Sequence, residues 1–282
     1  MKNHESHIGF TVMRIITYII VLVIAYILLD ILIKGIPALS FSFIFDAPIR
    51  SGAEGGIFPA ILGTVYLVTL TIAVALPLGM FTAIYLTEYA KQNFITRSLR
   101  LAVVTLAGIP SIVFGLFGLG LFVLFLNFGT SLLAGSLTLA FLILPTIIVS
   151  SEEALKSVPQ YMREASLALG ATKWQTIYKS VLPSALPGML TGAILGIGRA
   201  AGETAPILLT AAAFFIPSLP ESVFDQVMAL PYHLYILTTQ HPDAARIENM
   251  QYGTALVLIS LVIGLNLVAI YLRIKLRKKY NW

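Results

Sequence analysis

The chain has 282 residues, of which 58% are hydrophobic and only 11% are charged, whereas soluble domains carry roughly 25% charged residues. A mean hydropathy of +0.91 over the whole length excludes a single water-soluble domain, because so many apolar residues must face lipid or each other. The chain has no cysteine, and its histidines (His4, His7, His233 and His241) stand at no metal-ligand spacing, so neither a disulfide framework nor a metal site is predicted.

Six segments are apolar for the roughly 20 residues that a helix needs to cross a bilayer. They are 11–33, 58–86, 101–126, 132–150, 186–215 and 253–274. The sequence therefore predicts an all-α integral membrane bundle of six helices, with a kink at Gly108 and Pro110 in the third helix. Residues 1–56 form a retained anchor helix and an outer loop, residues 57–274 form the core of the bundle, and residues 275–282 form a basic tail.

The orientation of these helices follows from the Lys and Arg residues in the loops. The N-terminus, the loops 87–100 and 151–185 and the C-terminus hold fourteen of them, whereas the opposite loops hold only Lys34, Arg50 and Arg246. We therefore expect a multi-pass protein of the cell membrane with both termini in the cytoplasm. This bias explains the net charge of +5, so no nucleic-acid partner is indicated.

The cytoplasmic loop 151–183 is long and polar for this chain. A short helix is predicted from Pro159, which suits a first turn, to Gly170, which suits a left-handed C-terminal cap. Thr172 then caps a second short helix, which Leu182-Pro183 ends. Such a helical pair can enter a groove on another protein, and a plain connecting loop is the alternative. The residues that fall near one face of the first helix are Met162, Ala165, Ala168 and Leu169.

The fifth predicted helix carries small residues and two charges. Gly188, Gly192 and Gly196 recur every four residues, a spacing that lets helix backbones pack closely. Arg199 and Glu203 fall on the same arc of this helix, and each charge near the bilayer centre costs at least about 2.5–3.5 kcal/mol. We therefore expect them to face other helices or a water-lined path. They form either a structural ion pair or an anion-handling site on a permeation path.

The outer loop 216–252 has an apolar, aromatic middle at 222–239. It is too short and too interrupted to be a predicted span. We expect a surface or partly re-entrant helix, which either packs over the bundle or contacts a partner.

The loop 151–183 also carries a family motif. Glu164-Ala165-Ser166, then Gly170, then Leu182-Pro183 resembles the EAA loop of ABC importer permeases, with matching spacing. Two positions depart from that pattern, since Ser166 replaces an alanine and Ser180 replaces an aliphatic residue. The resemblance implies a six-helix type I ABC importer permease whose loop forms a cytoplasmic coupling helix, seated in a cleft of a separate ATPase subunit.

Two further segments resemble phosphate ABC importer permeases. They are Gly198-Arg-Ala-Ala-Gly-Glu-Thr-Ala-Pro206 and Ala107-Gly-Ile-Pro-Ser-Ile-Val-Phe-Gly-Leu-Phe-Gly118. The ending Thr204-Ala205-Pro206 is similar to the PstA-type subunit, whereas the PstC type usually continues Thr-Met-Ala. The resemblance implies a PstA-type permease that works with a sister PstC-type permease, an ATPase dimer and an extracellular phosphate-binding protein, with Arg199, Glu203 and Thr204 along the path.

No Gly-x-x-x-x-Gly-Lys-Ser/Thr phosphate loop occurs in the sequence. We therefore expect a non-catalytic subunit that binds no cofactor, with ATP and Mg²⁺ held by the partner ATPase. The alternatives are a permease for another oxyanion (molybdate, sulfate or phosphonate), a membrane scaffold or sensor, and a free-standing channel. The phosphate-type segment disfavours the first and the EAA-type loop disfavours the last. An enzyme is disfavoured because no nucleophile–base or metal constellation is present.

Overall fold

The computed structural model describes residues 2–52, 54–242, 244 and 247–280. Arg246, one of the predicted outer cations, and the last two residues of the predicted basic tail lie outside the described residues. The N-terminal part consists of helix α1 (Lys2–Gly35), a 3₁₀ turn (Ile36–Ala38), α2 (Phe41–Phe45) and a two-stranded antiparallel hairpin of β1 (Pro48–Ile49) and β2 (Glu54–Gly55).

The remaining regular elements of the described chain are helices. In order, the elements are α3 (Phe58–Ile84) with a π turn (Tyr85–Tyr89), α4 (Phe94–Ala107), α5 (Ser111–Gly118) with a π segment (Leu119–Phe125), α6 (Leu132–Lys156), α7 (Gln160–Ala168), α8 (Lys173–Thr176) with a π turn (Ile177–Val181), α9 (Leu182–Gly202), α10 (Ala205–Thr210), α11 (Leu230–Thr239) and α12 (Glu248–Tyr280).

Five continuous helical segments of the described chain are long and apolar enough to span a membrane, and a sixth span results if α4 and α5 are taken together. This confirms an all-α, multi-pass membrane bundle. Helix α6 lies at its centre and packs against α3 and α9. Leu139, Leu142, Ile143 and Ile147 of α6 are almost completely buried, whereas α1 packs on α12 and leaves most of its apolar side chains exposed to the surroundings.

The third predicted span is broken rather than kinked. Helices α4 and α5 meet at an angle of 107°, because α4 ends at Ala107 with Gly108 as its C-cap, and Pro110 has extended backbone angles (φ −57°, ψ 139°). Proline has no N–H for the helical ladder and its ring clashes with the preceding turn. The helix therefore stops and restarts at Ser111.

The fifth span differs from its predicted bounds at both ends. Leu182-Pro183 does not end a helix, since the helical segment continues from Lys173 through the π turn into α9. Pro183 lies in the first turn of α9, where a missing N–H is tolerated. At the other end α9 stops at Gly202, because Glu203 is extended (ψ 132°), and α10 restarts at Ala205. The prediction that one helix runs to residue 215 is therefore wrong.

Part of the outer loop is folded onto the bundle. Helix α11 covers only the second half of the predicted 222–239 segment, and Leu230, His233 and Leu237 on it are buried. The backbone N–H of Leu230 donates to Thr64 Oγ1 on α3 at 2.8 Å. Packing over the bundle is thus the alternative that the described residues support.

Candidate functional site

Helix α7 lies where the sequence predicts the coupling helix. Pro159 is the residue before the first turn rather than within it, with extended backbone angles (ψ 140°). Gly170 follows the helix with φ +83°, a left-handed conformation that residues with a Cβ rarely adopt. Thr172 caps α8 by accepting from the N–H of Gln175, and the Gln175 side chain accepts from the N–H of Thr172 in return. The turn between α7 and α8 is therefore fixed by local chemistry.

The inner face of α7 is attached to the bundle at three points. Met162 packs on a buried cluster formed by α3, α6 and α9. The Arg163 guanidinium contacts Glu88 in the π turn after α3, with 2.8 Å between Nη2 and Oε1. The Ser166 and Thr176 hydroxyls are 2.9 Å apart and share a hydrogen bond. The sequence grouped Met162 with Ala165, Ala168 and Leu169 on one face of this helix. In the structure Met162 instead lies against the bundle, whereas the other three side chains are exposed.

The outer face of α7 is uncovered. Glu164, Ala165 and Ala168 are exposed, and Leu169 is 90% exposed. In α8 and the π turn after it, the rings of Trp174 and Tyr178 stack at 6.0 Å and are both largely exposed. Apolar side chains gathered on the surface next to a polar helix are typical of a protein-binding site. The remaining motif residues, Leu182 and Pro183, are half-buried at the start of α9.

Helix α6 extends further into the predicted loop than expected. Glu152, Glu153 and Lys156 belong to its last turns rather than to a connection. Glu152 is buried, with Oε2 3.6 Å from Arg100 Nε on α4 and 3.4 Å from Lys156 Nζ. Arg100 and Lys156 are therefore held partly by these neighbouring carboxylates.

Arg199 and Glu203 form the predicted ion pair. Arg199 Nε is 3.2 Å from Glu203 Oε1, and the two side chains are 35% and 17% exposed. Glu203 is the residue after the last turn of α9 rather than part of it, so the pair bridges the end of the helix. Next to it, Gly198 lies against Asn266 of α12, whose amide nitrogen would be 3.3 Å from an added Cβ.

Thr204 directly follows this ion pair in the chain. It lines a cavity of about 770 Å³ between α1, α11 and α12. Tyr235, Glu248, Gln251 and Tyr252 supply most of the polar groups of that cavity. The break between helices α9 and α10 therefore borders this cavity at the α11 end of the bundle.

The glycines of α9 lie against α6. An added Cβ on Gly188 would be 2.7 Å from Ala154 Cβ, and one on Gly192 would be 2.7 Å from Ser150 Cβ. The corresponding distance for Gly196 is 3.2 Å to Ile143 Cδ1. All three are shorter than an ordinary carbon–carbon contact of about 3.5–4.0 Å, so a side chain at these positions would push the two helices apart.

The sequence interpretation missed the contact between Arg163 and Glu88. The two residues are 75 positions apart, and neither a periodic pattern nor a motif joins them. The one available signal was a basic residue directly before Glu164 of the motif.

Comparisons with known proteins give the family context. Residues 75–280 match the family described as binding-protein-dependent transport system inner membrane component. The probable ABC transporter permease protein YqgI of Bacillus subtilis is 35% identical over 262 residues, which are 88% of each chain. The phosphate transport system permease protein PstA of Mycobacterium leprae is 39% identical over 214 residues, 76% of this chain and 69% of that one.

A solved structure has a similar fold. A chain of a bacterial alginate ABC transporter, in complex with an alginate pentasaccharide-bound periplasmic protein, superposes with a TM-score of 0.67. The alignment covers 92% of each chain at 14% identity, so it bears on the fold alone.

Proposed function

Because this chain belongs to the family of binding-protein-dependent transport system inner membrane components, we propose that it is the transmembrane permease subunit of an ATP-driven importer of inorganic phosphate. The observation that supports phosphate as the cargo is the similarity to a phosphate transport system permease, PstA, over three quarters of this chain. The subunit itself is non-catalytic. It forms the translocation path by alternating access, and a separate ATPase drives the conformational change.

The ATPase docks on the exposed face of α7. Glu164, Ala165 and Leu169 present one carboxylate and small or apolar side chains to the cytoplasm, which suits insertion of the helix into a groove of the ATPase. Two other motif residues hold the helix in place: Ser166 shares a hydrogen bond with Thr176, and Gly170 forms the left-handed turn after the helix. In this assignment both termini lie in the cytoplasm, in agreement with the distribution of Lys and Arg along the chain.

Arg199 attracts the phosphate anion along the path. Its guanidinium can donate two parallel hydrogen bonds to a phosphate oxyanion. Glu203 holds the side chain at 3.2 Å while the path is empty, and an arriving anion competes with that carboxylate. Thr204 contributes a hydroxyl at the next position, toward the α11 end.

The exposure of the ion pair supports pairing with a second permease. Arg199 is 35% exposed in the isolated chain although it belongs to a helical segment that is apolar enough to span a membrane, and a charge exposed to hydrocarbon is costly. A sister permease of the PstC type facing α9 would enclose Arg199 in a shared, water-containing path. An extracellular phosphate-binding protein delivers the anion to the outer loops, and ATP with Mg²⁺ stays on the ATPase dimer.

The test is uptake of radiolabelled phosphate by vesicles that contain the whole complex. The unmodified complex should take up phosphate only with ATP inside and the loaded binding protein outside. Arg199→Ala should lower uptake roughly tenfold or more, and Arg199→Lys should retain part of it. Arg97→Ala removes an exposed cation on α4 and serves as the matched control.

Each arm of this experiment has a distinct meaning. Uptake of sulfate or molybdate in preference to phosphate by the unmodified complex would overturn the assignment of phosphate as the cargo. Phosphate uptake that is unchanged in Arg199→Ala, with normal assembly, would overturn the role of that residue but not the cargo.

A further inference from the structure

Arg163 joins three elements at the α7 end of the bundle. Its Nη2 and Nε atoms lie 2.8 and 3.3 Å from Glu88 Oε1, in the π turn that ends α3. Nη2 also donates to the carbonyl of Leu155 in the last turn of α6 at 2.9 Å, and Nη1 donates to that of Val158, two residues after the end of α6, at 2.7 Å. One side chain of α7 therefore holds α3 and α6 together.

The surroundings make this contact rigid. The Arg163 and Glu88 side chains are only 14% and 9% exposed, so water screens their interaction little. Loss of either partner would leave the other charge without compensation in a poorly solvated place. An exposed pair such as Arg50 and Glu54, 73% and 55% exposed, lacks this property.

The turn that carries Glu88 is unusual. Residues Tyr85–Tyr89 form a π turn, a rare and less regular form that often occurs at functional sites. A second π turn, Ile177–Val181, follows Thr176, whose hydroxyl contacts Ser166 of α7. Helix α7 is thus attached next to both irregular turns, one at the end of α3 and the other before α9.

A cavity leaves room for movement at this place. About 650 Å³ of space lies between α7 and the two π turns, and Glu88, Arg163, Lys173 and Ile177 are among its lining residues. A displaced α7 could enter this space, and it would have to move Glu88 with it or break the ion pair.

We infer that Arg163 is a positioning residue for energy coupling, which transmits the movement of α7 to α3 through its ion pair with Glu88. This inference rests on the proposed function, in which the ATPase moves α7. Glu164 and its neighbours on the outer face contact the ATPase, whereas Arg163 on the inner face passes the displacement to the spans. Docking and transmission therefore depend on opposite faces of one helix.

The absence of cysteine from the sequence allows a direct test. A single cysteine replaces Phe81, an exposed residue of α3, and carries an environment-sensitive fluorophore in the assembled complex of both permeases, the ATPase and the binding protein. A second preparation carries the label at Ile19, exposed on α1. The fluorescence change on addition of ATP is then measured with and without changes at Arg163 and Glu88.

We expect the α3 label to respond to ATP in the unmodified complex. Arg163→Gln and Glu88→Gln should each reduce that response roughly tenfold, and the double variant should be no worse than either single one, because the two residues act as a unit. The ATPase should still co-purify. Arg163→Lys should restore part of the response, and the control Arg97→Gln should leave it intact.

Two results would overturn the inference. One is a normal response of the α3 label in both Arg163→Gln and Glu88→Gln. The other is loss of the ATPase from both variants, which would assign the pair to the folding of α7. Glu88→Gln leaves α7 itself unchanged, so the test remains decisive if Arg163→Gln fails to fold. An unmodified complex that responds to ATP but takes up no phosphate would reject the cargo alone.

Discussion

The contact between α6 and α9 at Gly192 allows a quantitative prediction. Gly192→Ala places a Cβ 2.7 Å from Ser150 Cβ, whereas ordinary carbon–carbon contacts are about 3.5–4.0 Å. Both atoms are fixed to helical backbone, so no rotamer change relieves the clash and the helices must separate by roughly 1 Å. Overpacking of this kind typically costs about 1–3 kcal/mol.

Gly264→Ala is the matched control, because Gly264 lies in the interior of helix α12 and an added Cβ there meets nothing within 4 Å. Both substitutions gain the same helix propensity, about 1 kcal/mol, so the difference in their unfolding free energies reports the clash. Thermal unfolding of the purified subunit in detergent should place Gly192→Ala below Gly264→Ala by about 1–3 kcal/mol. Adding Ser150→Gly should recover most of the loss. Equal stability of the two alanine variants would refute the close approach of α6 and α9.

Three other predictions concern the two ends of the bundle. Burial lowers the pKa of His233 on α11 from 6.5 to about 4. The stability contribution of the neutral ring is therefore complete above about pH 6.5 and decreases as the pH falls toward 4, by about 2 kcal/mol at pH 5. The unfolding free energy, measured against pH, should no longer show this decrease in His233→Phe. An unchanged pH dependence in that variant would contradict the burial of a neutral His233. Gly170→Ala should strain the turn after α7 by about 1–2 kcal/mol and weaken ATPase binding in a pull-down. Gly129 also has positive φ (+67°), so Gly129→Ala introduces a similar strain but should leave ATPase binding unchanged. Equal ATPase binding by the two variants would count against docking through α7. Glu152→Gln, which neutralises a side chain 9% exposed, should destabilise the subunit by about 1–3 kcal/mol, whereas Glu153→Gln, at a position 69% exposed, should change stability little. Similar losses in the two variants would show that Arg100 and Lys156 do not depend on the buried carboxylate.

Much of the fold was determined by the sequence itself. Hydropathy alone identified five continuous spans and the position of the broken one, because lipid demands long apolar helices regardless of how they pack. The motif from Glu164 to Pro183 and the turn at Gly170 and Thr172 were also readable, since caps and left-handed turns depend on a few neighbouring residues.

The tertiary structure decided how the elements end and what they touch. Proline predicted a kink in the third span, but only the packed structure showed a break of 107°. Likewise, the restart of the helix after Glu203 is visible only in the structure, where α10 packs on α5. The contact of Arg163 with Glu88 joins residues 75 positions apart. Local sequence carries no record of such a pair, because its energy arises from burial that exists only after α3, α6 and α7 have assembled.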